Sequence, residues 1–595
     1  MSAVDRLDVY LHSRVAGVLE RRSQARLRFA YAPDWIESDE QPLSLSLPVR
    51  SEPFEHEECA PFFEGLLPEG DFLKAIARTL HVSATNPFQL LTELGGECAG
   101  AISVAPAGGP EPGQDPRPPR WLSEKELGAL LRELPQRPLI AVIDEAEDGG
   151  GFRLSLAGAQ DKVGVLVENG KIGLSHGRPP TTAILKPPIP RVEESVANEA
   201  FCMTLAAHVD LEVAAAAPRL ADSQEYLLVH RYDRGGEAAD GRIHQEDFCQ
   251  ALGLVPAVKY EREGGPTIAD CAGLIRRNFR APARDLTAFL DAIFFNFLIA
   301  NHDAHSKNYS LLLDGPEAVR LAPLYDLIST AVYPGTDRKL AMRYGGEKRP
   351  EYLRGRHLDR LAHDLGVKPT LVRRRALSMC ERIEAAAEEA RGALTEAFQD
   401  HPVIEKVIAV VAERSDLLRR RAGEEGGSVG SAVPEHLGEF TTEMEGAMAQ
   451  IAEGFNGFSG DLEAFVRVVQ GSAGIPVAEA LDKPARSLKV HGRAIYDGVV
   501  DFEAYLENVL GDIEAADSGA KGELLDLLAE LSENARDGIE NLEVMYQQVS
   551  VLEEAAPAFR TPLRSMRAGM RDLLEARTII SEWNERAERI AGRSS

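Results

Sequence analysis

Residues 297–313 read FLIANHDAHSKNYSLLL. An apolar run breaks into the mostly polar stretch NHDAHSKN (301–308) and then turns apolar again. A turn needs one or two polar residues, yet here an Asp, two His, a Lys and two Asn stand between segments built for a core. Asp303 and Asn308 have the relation D-x-x-x-x-N, the spacing of a protein-kinase catalytic loop. In that chemistry the Asp orients or takes the proton of the attacking hydroxyl, and the Asn reaches back to Mg²⁺. Alone, the pattern reads as readily as a polar helix cap and turn. A second acid, Asp326 in LAPLYDLIS (321–329), follows where phosphoryl transfer needs a metal-chelating carboxylate, with YDLIS in place of DFG. The plainer reading is a strand-ending Asp that caps a following helix.

The upstream chain supplies the other expected parts in kinase order. Lys186 ends the short apolar strand AILKPP (183–188), where a Lys would point at nucleotide phosphates. Glu199, in the helical stretch ESVANEAFCMTLAAHVD (194–210), is the candidate partner that holds it, with Glu194 a rival. Before Lys186 comes SLAGAQDKVGVLV (155–167), which is neither a Walker A nor a G-x-G-x-x-G loop. Its small residues Ala157, Gly158 and Ala159 would let backbone N–H groups approach a phosphate, and Ser155 and Lys162 flank the turn. A plain β-hairpin turn is the alternative. EYLLVHRYDRGGE (225–237) reads as an edge strand entering a linker, where backbone groups of His230 to Tyr232 would meet adenine and Tyr232 would stack. Each piece is weak alone; their order points to a kinase.

Composition bounds the rest. The 595 residues are too many for one core. With 44% hydrophobic and 27% charged residues the chain is of ordinary globular type. A net charge of −28 argues against a general nucleic-acid binder. The six Cys form no CxxC pair, as expected of reduced thiols in a cytoplasmic protein. The N-terminus has no apolar h-region, and no run approaches a membrane span.

The expected fold class is α+β: a two-lobed protein-kinase-like core with an N-terminal β-containing subdomain and a C-terminal all-α extension. Residues 1–120 form the first part, ending in the Pro/Gly-rich stretch 105–120. Residues 121–265 form a β-rich lobe with the nucleotide loop, after a helix capped by Ser123. Residues 266–422 form a helical lobe with the catalytic loop. Beyond the Gly/Ser-rich break at 423–436, residues 431–595 read as an acidic helical bundle or coiled-coil hairpin, with 30 Asp+Glu against 15 Lys+Arg.

Over residues 5–400 the sequence resembles the HipA family of bacterial serine/threonine kinases, the toxin halves of type II toxin–antitoxin pairs. The resemblance rests on FFEGLLPEG, LGGECAGAISV, SLAGAQDKVGVL, ILKPP, ESVANEAFCMTLA, VHRYDR, RIHQEDFCQALG, NHDAHSKNYSLL and LAPLYDLIS. It implies ATP and Mg²⁺ as cofactors, Asp303 as the catalytic Asp, and Asn308 and Asp326 as metal ligands. Lys186 and the loop Leu156, Ala157, Gly158, Ala159, Gln160 to Lys162 would hold the nucleotide, together with His230, Tyr232 and His305. Ser155 matches the family's autophosphorylated serine; a new charge near the ATP phosphates would repel them. The implied substrate is a protein, with an aminoacyl-tRNA synthetase the known type. The implied partner is a small HipB-like helix-turn-helix antitoxin, through which alone DNA would be met. His230 stands where the family more usually has an acidic residue, and the acidic extension is outside the family pattern; it could regulate in cis, self-associate or dock another protein. A catalytically idle kinase-fold binding protein and a small-molecule kinase are the rival readings.

Overall fold

The computed structural model describes residues 5–423 apart from 39, 110, 113–116, 135–157, 159, 176–178, 237, 239 and 316–317. The expected helical extension at 431–595 therefore lies outside the described residues, as do Ser155, Leu156, Ala157 and Ala159. The described residues up to 261 and from 265 to 423 form one compact unit, and the description concerns that unit.

The N-terminal part is built on an antiparallel sheet of β1 (Arg6–Leu11), β2 (Arg14–Arg21), β3 (Leu27–Tyr31) and β4 (Ile102–Pro106), in the order β3-β2-β1-β4. Along β3 the side chains of Leu27, Phe29 and Tyr31 point inward, the period-2 alternation of a strand with one wet face. Helices His56–Gly65, Gly70–Thr79 and Pro87–Leu94 pack over it, with Phe29, Phe54, Phe62, Phe63 and Phe88 fully buried. The last helix starts where sequence rules place it: Pro87 occupies the first turn, and the Asn86 side chain accepts from the Gln89 N–H at 3.2 Å.

A second antiparallel sheet contains β5 (Arg120–Leu122), β6 (Val163–Glu168), β7 (Lys171–Leu174), β8 (Ala183–Lys186), β9 (Ala216–Ala221) and β10 (Gln224–His230). Its order, β5-β7-β6-β8-β10-β9, corrects one expectation: the strand that enters the hinge is interior, and β9 forms the edge. β10 pairs with β8 on one side and β9 on the other and buries Tyr226–Val229, whereas β9 exposes Arg219 and Leu220. Helix Glu124–Glu133 begins at Ser123 with a reciprocal capping box to Glu126, as the sequence predicts.

The helical lobe has one large core, where Phe289, Phe294, Phe295 and Phe297 of helix Pro282–Leu298 meet helices Gly355–Asp364, Pro369–Ala393 and Pro402–Gly423. A third sheet of β11 (His244–Asp247), β12 (Ser310–Leu313) and β13 (Val319–Leu321) sits beside the chain's polar island.

The N-terminal sheet is locked to the core by buried charge. Glu97 accepts from the N–H and hydroxyl of Thr181 and from Arg231 and Arg234 at 2.7–3.2 Å. Asp233 accepts from Arg231 and from the Gly100 N–H, both at 2.7 Å, and Arg242 donates to the carbonyls of Gly100 and Ile102. At a neighbouring joint, buried Glu246 on β11 accepts from the Leu45 N–H at 2.8 Å and pairs with the Ser44 hydroxyl.

Burial lifts the Glu246 carboxyl from its ordinary 4.5 to about 8. A raised carboxyl binds its proton more tightly in the folded state. Its stabilising share is thus complete below about 4.5 and is lost as pH rises through about 8. Glu246→Gln, which keeps the shape without the titration, is expected to be more stable than wild type at pH 9 by on the order of a few kcal/mol. The two should converge near pH 5, and urea unfolding at both pH values checks this.

Candidate active site

Helix Pro282–Leu298 ends at Ile299, and Ala300 turns the chain with a left-handed φ of 50°. The polar island that follows holds itself in place. Asn301 donates to Asn296 Oδ1 at 2.9 Å and to the Asp326 carbonyl at 3.4 Å, and its own Oδ1 accepts from the Asp303 N–H at 3.2 Å. Asn301 thus ties the two segments that carry the two candidate acids. Asn308 donates its amide to the Asp303 carbonyl at 3.1 Å, which leaves its Oδ1 as an acceptor. Asp303 itself is exposed, and one carboxylate oxygen accepts from the Tyr260 hydroxyl at 2.6 Å.

Lys186, at the end of β8, is 5% exposed and donates to Glu199 at 2.6 Å and also to Asp326. Glu199 lies on helix Ser195–His208 and is the partner the sequence favoured. The rival Glu194 faces elsewhere, accepting from the Val403 N–H and facing His401. Burial works against the charge on Lys186, but Asp326 and Glu199 outweigh it and raise its pKa. Burial likewise opposes ionisation of Asp326, yet Lys186 and Lys162 hold it down to about 2. Asp326 has a φ of 53° and no helix follows it before residue 350, so it caps nothing.

One cavity of about 430 Å³ is lined by every described residue of the expected site: Gly158, Gln160, Lys162, Lys186, His230, Tyr232, Asp303, His305, Asn308 and Asp326. Gly158 has a φ of 111°, a conformation that L side chains rarely adopt, so this turn favours glycine, and the flexible end of Lys162 lies against it. Burial pushes the Lys162 ammonium down, partly offset by Asp326. His305 is buried edge-on to Tyr260 and held below its ordinary pKa by that burial, against the pull of Asp303.

The hinge differs in part from expectation. The N–H groups of His230 and Arg231 are already spent on the carbonyls of Ala215 and Thr182, at 2.8 and 3.0 Å. The Tyr232 ring stacks on Tyr325, with centroids 5.9 Å apart. Of the other island residues, His302 is buried against the Asp337 carbonyl, and Lys307 is buried with Asp247 at 2.6 Å and Glu69 at 3.6 Å. Sequence reading missed Glu69, Lys259 and Tyr260; nothing in VPAVKYEREGG distinguishes the last two from surface residues.

A strand lysine held by a helix glutamate, an Asp/Asn loop and a second Asp after a short hairpin together define a kinase-like two-lobed core. Comparison with known proteins agrees. Residues 7–105 match the HipA N-terminal domain, and residues 154–390 match the HipA-like C-terminal domain. The chain is 42% identical over 423 residues to a Sinorhizobium fredii protein named "Putative kinase Y4mE", covering 69% of this chain and 98% of that one. It is 29% identical over 383 residues to the serine/threonine-protein kinase toxin HipA of Shewanella oneidensis, covering 60% and 83%. A solved structure of Shewanella oneidensis HipA with HipB and operator DNA superposes with a TM-score of 0.58 at 27% identity, covering 70% of this chain and 96% of that one. The chain belongs to the HipA family. Among the described residues no helix is long and apolar enough to cross a membrane.

Removing the central cation should expose its structural share. Lys186→Met leaves Glu199 and Asp326 without their ammonium, and a loss of about 3 kcal/mol is expected. Adding Glu199→Gln should recover part of it, because the second carboxylate is then neutral. Urea unfolding of the two single variants and the double variant measures that coupling.

Proposed function

We propose that this protein is an ATP- and Mg²⁺-dependent serine/threonine protein kinase that acts as the toxin of a type II toxin–antitoxin pair. The observation that carries the reading is the convergence of Lys186, Asp303, Asn308 and Asp326 on one cavity. Bound Mg²⁺-ATP supplies the transferable γ-phosphoryl group and a metal that neutralises the charge developing on it. Lys186, fixed by Glu199, meets the phosphates; the turn at Gly158 brings backbone N–H groups and Lys162 toward them. Asp303 orients the acceptor hydroxyl and takes its proton.

The donors left for metal are a carboxylate of Asp326 and the amide oxygen of Asn308, both hard oxygens. They suit Mg²⁺, which is commonly held by one or two carboxylates plus substrate phosphates.

The substrate is a cytoplasmic protein, with an aminoacyl-tRNA synthetase the first to test, and the regulator is a small helix-turn-helix antitoxin like the HipB of the Shewanella complex. Ser155 is the autophosphorylation site, and residues 431–595, which lie outside the described residues, serve protein docking or self-association.

Two experiments test this. Incubated with labelled ATP and Mg²⁺, wild type should label itself and proteins of a bacterial extract. Asp303→Ala should lower the rate at least a hundredfold, the scale on which general-base loss is felt; equal incorporation by both sinks the catalytic assignment. Ser155→Ala should lose most self-labelling, and phosphate mapped by mass spectrometry to another residue refutes that site.

A further inference from the structure

Glu69 belongs to the N-terminal subdomain, immediately before helix Gly70–Thr79, yet it lines the cavity of the core. Three of its contacts reach different walls of the site. Its backbone N–H donates to the Gly158 carbonyl at 3.0 Å, and Pro68 forms a parallel bridge to Gly158, so the segment is stitched to the glycine turn. One carboxylate oxygen accepts from Lys259 at 2.9 Å. The other lies 3.6 Å from Lys307 inside the polar island, makes no hydrogen bond, and is buried.

Lys259 and Lys307 in turn frame the acceptor side. The Lys259 ammonium lies over the Tyr260 ring at 5.6 Å, and the Tyr260 hydroxyl donates to Asp303. The Lys259 carbonyl accepts from Ser306 at 3.1 Å, so this segment is bound to the island at two points. Lys307 shares its charge between Asp247 and Glu69. Burial opposes the charge on Glu69, but Lys307 and Lys259 outweigh it and keep the carboxyl below its ordinary range, ionised at neutral pH. Without that carboxylate two ammonium groups would share a confined cavity wall with one fewer counter-charge, and Lys259 would have lost its direct partner.

We infer that Glu69 is a positioning residue for the phosphoryl transfer proposed above, an inference that rests on that kinase reading. It fixes Lys259, and through it the Tyr260–Asp303 contact, while its backbone holds the glycine turn. The N-terminal subdomain is therefore part of the catalytic unit. Its side chain acts on the acceptor side, so its removal slows transfer more than it weakens nucleotide binding.

The test uses the full chain and the variants Glu69→Ala, Glu69→Gln and Glu69→Asp. Four quantities are measured: the rate of self-labelling from ATP, affinity for a non-hydrolysable ATP analogue, melting temperature, and acylation of Lys259 followed by mass spectrometry. Glu69→Ala and Glu69→Gln are expected to slow transfer by about tenfold to a hundredfold, the cost of misplacing a reacting group. Nucleotide affinity should stay within about threefold, Lys259 should become more reactive, and Glu69→Asp should regain part of the rate. Wild-type rates in Glu69→Ala overturn the inference, as do rate, affinity and melting temperature falling together in all three variants. If wild type labels nothing and matches Asp303→Ala, the kinase reading itself fails and the inference falls with it; labelling by wild type separates the two failures.

Discussion

The ammonium of Lys186 is the point on which the rest of the site depends. A lysine taken out of water at the end of a strand is costly unless opposite charge and hydrogen bonds meet it. Two carboxylates do so, from segments far apart in sequence: Glu199 from a helix and Asp326 from beyond the third sheet. Burial pushes Glu199 up, and the nearby Lys186 works against it; Asp326 is the member that stays firmly ionised. A single cation thereby fixes the approach of helix Ser195–His208 to the second sheet. It also brings the metal-binding candidate of the helical lobe to the same place.

A second set of buried charges keeps the hinge in register. Arg231 follows His230 directly, and its guanidinium is shared between Glu97 of the N-terminal part and Asp233 of the hinge. The N–H groups at 230 and 231 are bound to the carbonyls of Ala215 and Thr182 because they continue the ladders of β10 with β9 and β8. The N-terminal subdomain touches the rim of the cavity at several places: Glu97 to Gly100 at the hinge, Ser44 and Leu45 at β11, Phe62 at Gln250, and Glu69 beside Lys259 and Lys307. A module attached at several such points restrains the relative motion of the walls it joins.

Much of the candidate site was legible in the sequence because its parts follow the chain order of the HipA family to which the chain belongs. Lys186, Glu199, Asp303, Asn308 and Asp326 each have ordinary structural uses, and it was their order along the chain that pointed to one site, while the helix start at Ser123 follows from local capping. What escaped were long-range pairings. Whether β10 lies at an edge depends on β9, whose pairing is decided by tertiary contacts and not by alternation within β10. Glu97, Arg231 and Arg242 look like ordinary surface charges until the N-terminal sheet buries them. Glu69 and Lys259 are 190 residues apart, and nothing local predicts that one neutralises the other.

The polar island 301–308 shows the same division inside one loop. It has no strand or long helix, so a few local backbone bonds, such as His305 N–H to the Asp303 carbonyl and Asn308 N–H to the His305 carbonyl, are supplemented by side chains. Asn301 bonds to Asp303 and to the Asp326 segment, the His302 N–H donates to the Thr330 hydroxyl oxygen, and Ser306 and Lys307 anchor to Lys259 and Asp247. Residues that looked surplus beside two candidate catalytic groups are what hold those groups still. A carboxylate that must meet a hydroxyl in one geometry cannot sit on a loop that moves. The crowding of polar residues is therefore the cost of making an irregular loop rigid, and it leaves Asp303 as the island's exposed acid.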